Sequence, residues 1–323
     1  MKLLKTLLLT QSNRSPKYYL TGLALFLSLQ IPPLYANDEQ DFLKAALTGD
    51  AATAAKLINE NINIDLQNPD GFTALSVAAQ NGHAEIVTLL LKHKASVNLA
   101  NIQGGTPLLL AAKNTHLPVV EILLANQANP DLQDKNGLSP LMLAAAKGNS
   151  KITNLLLKHK AKPDLKSENQ VTALHLAAQN GHLDVVKALL ASGAKPDLQD
   201  ANGASALFLA SLSGHTDIVE ILLAHGALPD LKATNDFTAL ILAAQNGHNP
   251  VIELLLAKGA NINQQNQDGV TALMWAALHE NVKTVQLLLE RGADSAITTI
   301  SGKTAMDMAK DPAIVEILKH TAQ

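Results

Sequence analysis

From Thr73 to Asp294 one pattern of apolar and polar positions returns every 33 residues, and a period of that length is the mark of stacked supersecondary units. The stretch Thr172 to Asp200, TALHLAAQNGHLDVVKALLASGAKPDLQD, carries it in full: a helix, a glycine turn, a second helix and an exit loop. Thr172 is placed as an N-cap whose hydroxyl accepts an orphan backbone N–H, and its column reads Thr73, Thr106, Ser139, Ser205, Thr238 and Thr271 elsewhere. Pro107 and Pro140 follow two of these caps, where a missing N–H costs nothing. Gly181 and its counterparts Gly82, Gly148, Gly214 and Gly247 are expected to stop the first helix, since glycine takes positive φ without a Cβ clash.

In the second helix Val185, Val186, Leu189 and Leu190 are spaced to make one apolar stripe. Glu85, Asp184 and Asp217 sit in its first turn, at the positive end of the helix dipole. Gly193, Gly226, Gly259 and Gly292 close it, while Lys94, Gln127 and Lys160 occupy that slot in three other units.

Caps, glycines and Leu-Leu pairs in one register resemble the ankyrin repeat, whose 33-residue unit carries a TPLHxA signature. The resemblance covers seven units, residues 69–299, and implies an all-α solenoid of stacked helix-turn-helix units joined by β-hairpin-like loops. Residues 37–68 and 300–323 read as terminal capping units with weaker apolar columns: Thr53 and Ala54 stand in the first, Asp307 and Lys310 in the second. Helices packed about 8 to 10 Å apart would give nine such units a curved body roughly 80 to 90 Å long. The departures are local. His175 alone keeps the signature histidine, and Gln170 and Asp236 replace the tip glycine of Gly71, Gly104, Gly137, Gly203 and Gly269, so two tips are expected to leave the family turn geometry.

The resemblance further implies binding by the loop tips and the first helices, which line a concave face. Carried onto this chain, the residues after the tip are Phe72, Gly105, Leu138, Val171, Ala204, Phe237 and Val270, an apolar ridge with Phe72 and Phe237 as anchors. Beside it the first-helix ends place a largely neutral polar strip: Gln80, Asn81, Lys113, Gln179, Asn180, Leu212, Gln245 and Asn246. Packing of the ridge against the next loop is the bland alternative, because apolar atoms cover much of any protein surface. Trp275 shares a column with Val77, Leu110, Leu143, Leu176, Leu209 and Leu242 and is expected to fill core.

Charge and composition narrow the function. The chain has net charge −3, but residues 1–36 hold Lys2, Lys5, Arg14 and Lys17 without an acid, leaving 21 basic against 28 acidic residues thereafter. An acidic body with few aromatics argues against nucleic acid. Residues 1–36 read as a secretory signal: a basic start, an apolar run from Leu20 to Leu29, helix-breaking prolines, and Ala36 as the cleavage position. The expected address is therefore periplasmic or secreted, with no membrane contact after cleavage; an uncleaved inner-membrane anchor over residues 20–34 is the alternative. With no cysteine, neither disulfides nor thiol chemistry arises.

Eleven histidines invite a metal site. His83, His116, His182, His215 and His248 form one column and His93, His159 and His225 another, yet a zinc needs ligands converging at about 2.0 to 2.1 Å and stacking spaces neighbours about 10 Å apart. Hydrogen bonds to adjacent backbone are the expected role of the first column. Lys283 interrupts an HExxH pattern begun at His279-Glu280, and Trp275 stands where a calcium loop needs its bidentate Glu. No phosphate cradle or nucleophile elbow occurs, so no catalytic residue, metal or cofactor is expected. What remains is a monomeric, non-enzymatic scaffold binding a protein or peptide, with an exported effector acting on a host protein or a structural spacer as alternatives.

Overall fold

A computed structural model describes residues 37–321. They form helix pairs in sequence order, opening with Asn37–Thr48 and Ala51–Asn59, continuing through Ala173–Gln179 with Leu183–Ala191 at the centre, and closing with Ala305–Met308 and Pro312–Thr321. Each first helix packs on the first helices of its neighbours and each second helix on the second. The first-helix row is the tighter of the two. Alanine explains the closeness: Ala78, Ala79, Ala144, Ala145, Ala177, Ala178, Ala243 and Ala244 are fully buried and keep opposing backbones near one another. Branched side chains fill the second row, where Ile86, Val87, Leu90, Val185, Val186 and Leu189 form one continuous core with their equivalents.

The helix starts fall where the hydroxyl residues stand. The hydroxyls of Thr73, Thr106, Ser139, Ser205, Thr238 and Thr271 accept the N–H three residues on, at 3.1 to 3.4 Å. Thr172 is the exception in the very unit that displays the pattern most fully. His175 turns its ring back so that Nδ1 accepts the Thr172 N–H at 3.1 Å, and the Thr172 hydroxyl lies 2.8 Å from the same nitrogen.

No strand occurs among the described residues; the loops are joined by a ladder of single backbone bonds. Ile102 N–H donates to the Asp70 carbonyl, Lys135 to Gln103, Glu168 to Asn136, and so on to Ile300 and Asp268, each at 2.9 to 3.0 Å. A second ladder runs beneath it. Asp65, Asn98, Asp131, Asp164, Asp197, Asp230 and Asn263 each accept the backbone N–H found 31 residues later. Loop polar groups are thus satisfied by the neighbouring unit.

The two irregular tips differ from one another. Gln170 takes φ 59°, the left-handed value of the glycines it replaces, and its N–H reaches Ser167 as theirs reach the matching residue. The expected departure does not occur there. It does occur at Asp236, where Asn235 is also left-handed and Thr234–Asp236 forms a 3-10 turn. Ala233 explains the change. In most other units this position holds Asn or Asp, whose side chain accepts two tip N–H groups, as Asp200 does from Asn202 and Ala204. At the far end Asp307 accepts the N–H of Thr304 at 2.8 Å and its hydroxyl at 2.7 Å, bonds that hold its carboxyl below the usual aspartate range.

Candidate binding surface

The ridge and the strip fare differently in three dimensions. Val171 is 3% exposed, Val270 8% and Phe237 9%, so the expected surface role of these three, Phe237 as an anchor and the valines as ridge, is corrected: their side chains lie in the core. Phe237 packs against Trp275, whose ring centroid is 5.7 Å away. Ala204 is buried as well, whereas Phe72 and Leu138 are half-buried against the core. The bland reading, packing against the adjoining unit, is the one realised for most of the ridge. The polar strip stays open. Asn81, Lys113, Asn180 and Asn246 are exposed, and Gln80, Gln179, Leu212 and Gln245 are half-buried in the same row of first-helix ends.

Trp275 is half-buried rather than core, lying between Phe237 and the His279 ring, the latter stacked at 5.2 Å. Its indole N–H is buried without a hydrogen-bond partner. Two side chains of its column, Trp275 and Leu209, are more exposed than the rest, and with Leu212 and Leu278 they make the C-terminal half of this face less polar than the N-terminal half.

The turn histidines do more than bond adjacent backbone. His83, His116, His182, His215 and His248 reach 36 residues back, each Nε2 donating to the carbonyl at the first-helix end of the preceding unit, at 2.9 to 3.3 Å. Each ring lies against the helix-stop glycine of that unit. A Cβ built on Gly148 would meet His182 Nδ1 at 2.5 Å, and one on Gly82 would meet His116 Nδ1 at 2.6 Å. These glycines therefore answer two demands, a left-handed φ and a ring-sized space. The register supports this: where Thr115 replaces the glycine, at φ 63°, the next unit offers Asn149 instead of histidine. Asn149 caps its own helix through Ile152 N–H. Asn281 faces Gly247 and restores the link by donating to the Gln245 carbonyl at 2.8 Å.

A glutamine clip recurs at double spacing. The side-chain amides of Gln67, Gln133, Gln199 and Gln265, 66 residues apart, each donate to the carbonyl of their own tip glycine and to a carbonyl in the following unit. Ala100, Lys166, Lys232 and Thr298 hold the intervening positions. Residue types in the sequence showed this alternation, but only the distances give it a role.

His175 is buried, and its Nε2 donates to the Ala204 carbonyl at 3.0 Å across the seam. Burial holds the imidazole below its ordinary pKa of 6.5, against the opposing pull of Asp200 and the backbone bond to Ala204. A ring kept neutral by burial, with a fixed partner on each nitrogen, is structural. Among the described residues no group of three His, Asp or Glu side chains gathers where a metal could sit. Nor is any described helix long and apolar enough to cross a membrane.

Comparison with known proteins agrees with this geometry. The family model described as "Ankyrin repeats (3 copies)" matches residues 42–134, 110–200, 190–266 and 240–323, and the chain belongs to that family. A search of curated proteins returns no match. Among solved structures the chain is similar to the ankyrin repeat domain of Bcl-3, described as a unique member of the IkappaB protein family. Identity is 28% and the TM-score 0.61, over 67% of this chain and 99% of that one. Ankyrin repeats are in general protein interaction modules.

Proposed function

We propose that the chain is a non-enzymatic scaffold, exported through its N-terminal 36 residues, that holds a protein or peptide along the row of first-helix ends. One observation carries the reading. Histidines of the following units satisfy the carbonyls at most of these helix ends, so the row is fixed without a partner while Asn81, Lys113, Asn180 and Asn246 stay exposed. A rigid, polar, sequence-varied strip beside half-buried apolar side chains has the composition of a recognition surface. The leader lies outside the described residues; its basic start and short apolar run support export to the periplasm.

Charge reversal of Lys113 combined with Leu212→Ser and Leu278→Ser tests the surface without altering a fully buried side chain. Affinity capture from a periplasmic extract should lose its specific partner with this variant while circular dichroism stays unchanged. Retention of the same partner at the same yield would refute the assignment of the face. Fractionation decides the address separately: full-length protein in the cytosol, with Met1 to Ala36 retained, would overturn export.

A further inference from the structure

Charge is segregated along the array in a way that neither the fold nor the first-helix surface requires. The unit spanning residues 135–167 holds seven lysines against one carboxylate, Asp164, whereas the rest of residues 37–323 has 14 basic against 27 acidic residues. All seven lysines are exposed, and among the described residues only Lys162 makes an ion pair, at 3.6 Å from Asp131. A body with a surplus of carboxylates could have compensated them from either side.

The geometry concentrates the charge on the second-helix side. Lys151 and Lys158 lie seven residues apart on the exposed face of Ser150–Lys158, whose opposite face buries Ile152 and Leu156, so their Cα atoms are about 10 Å apart along the axis. Lys160, in a left-handed turn, and Lys162, in the exit loop, continue the strip. The flanking units put no acid against its end: Ala125, Gln127 and Asn129 hold the matching positions on one side, Ala191, Gly193 and Lys195 on the other. Of the carboxylates near the strip, Asp131 is engaged by the Lys162 backbone N–H and Asp164 by that of Lys195, while Asp184 stands at the Lys151 position of the next unit, at the opposite end from Lys158, Lys160 and Lys162.

We propose that this strip is a second docking site, separate from the first-helix surface, and that its ligand is a short acidic polypeptide segment. An extended segment advances about 3.3 Å per residue, so six to eight residues cover the strip. A flat anionic membrane suits it less, because Glu121, Asp184, Asp217 and Glu220 stand exposed on the same row of second helices and would meet that surface too. Nucleic acid suits it less again: the strip has no arginine for bidentate phosphate contacts and no aromatic for stacking, and a long polyanion would run onto acidic units.

Fluorescence anisotropy with the purified full-length chain tests this, using a labelled deca-glutamate, a deca-glutamine control, and vesicles of anionic phospholipid as a third probe. Deca-glutamate should bind at low ionic strength, weaken as salt rises, and lose at least tenfold in affinity with Lys151→Glu, Lys158→Glu and Lys160→Glu combined. The matching Lys→Gln triple variant should fall between. Reversal of Lys258, Lys303 and Lys310, which removes equal charge elsewhere, should leave affinity within about twofold, and circular dichroism should report the same helix content throughout. Equal weakening by both reversals, absence of deca-glutamate binding, or tighter binding to vesicles than to the peptide would overturn the proposal. None of these outcomes bears on the first-helix surface.

Discussion

Gly148→Ala offers the sharpest measure of how neighbouring units are joined. Gly148 sits at φ 69°, and an added methyl would lie 2.5 Å from His182 Nδ1 and 2.7 Å from Cε1. A left-handed conformation costs a residue with a Cβ about 1 to 2 kcal/mol. Displacing the ring also breaks the 3.1 Å bond from His182 to the Ala146 carbonyl, a net loss of about 1 kcal/mol. Together the substitution should destabilise the array by about 2 to 3 kcal/mol. The Thr115–Asn149 pairing shows that a Cβ is accommodated when asparagine faces it. In a His182→Asn background, then, Gly148→Ala should cost only its backbone strain, leaving a coupling of about 1 kcal/mol between the two sites. Urea unfolding of the two single variants, the double variant and the parent, followed by circular dichroism, measures this cycle. Costs that add to within about 0.3 kcal/mol would show that the ring and the glycine act independently, and the account of the seam would fail.

Other expectations follow from the same contacts. His175 is held below its ordinary pKa of 6.5, so above that pH both folded and unfolded rings are neutral. As pH falls below it, the unfolded chain takes a proton that the buried ring refuses, and stability should drop; His175→Met, the residue at Met142 and Met274, should flatten that dependence in thermal melts between pH 7 and 5. Phe237→Ser should cost about 2 to 4 kcal/mol and red-shift the fluorescence of the single tryptophan, Trp275; an unchanged spectrum would contradict the ring contact. Thr238→Ala removes a buried N-cap and should cost about 1 kcal/mol in urea unfolding. Gln199→Ala should raise amide exchange around Gly203 and Lys232 while leaving the exposed ends of the first helices unaffected.

The architecture was legible in the sequence because each helix boundary is written in local chemistry. Thr106, Ser139 and Thr238 mark starts, and Gly82 and Gly214 mark stops with left-handed φ, whatever surrounds them. Even Lys94, Gln127 and Lys160, which lack that permissive chemistry, take φ of 64° to 68° because the neighbouring helices dictate the turn. The surface was less legible for a matching reason. Exposure at Val171, Phe237 and Val270 depends on what the adjoining unit places over them, and Trp275, which packs against Phe237, lies 38 positions away. Likewise the histidine column showed a spacing but not a direction, and a bond 36 residues back cannot be told from one within the turn until the stack is built.

The alternating glutamines give the array a phase as well as a length. Seams bearing a clip, at Gln67, Gln133, Gln199 and Gln265, are separated by seams without one. Gain or loss of a single 33-residue copy would bring two clipped or two unclipped joints together, whereas a change of 66 residues would leave the rhythm intact. By this measure the smallest interchangeable segment of the chain is a doublet, and lengthened or shortened forms that preserve its mechanics should differ by even numbers of copies.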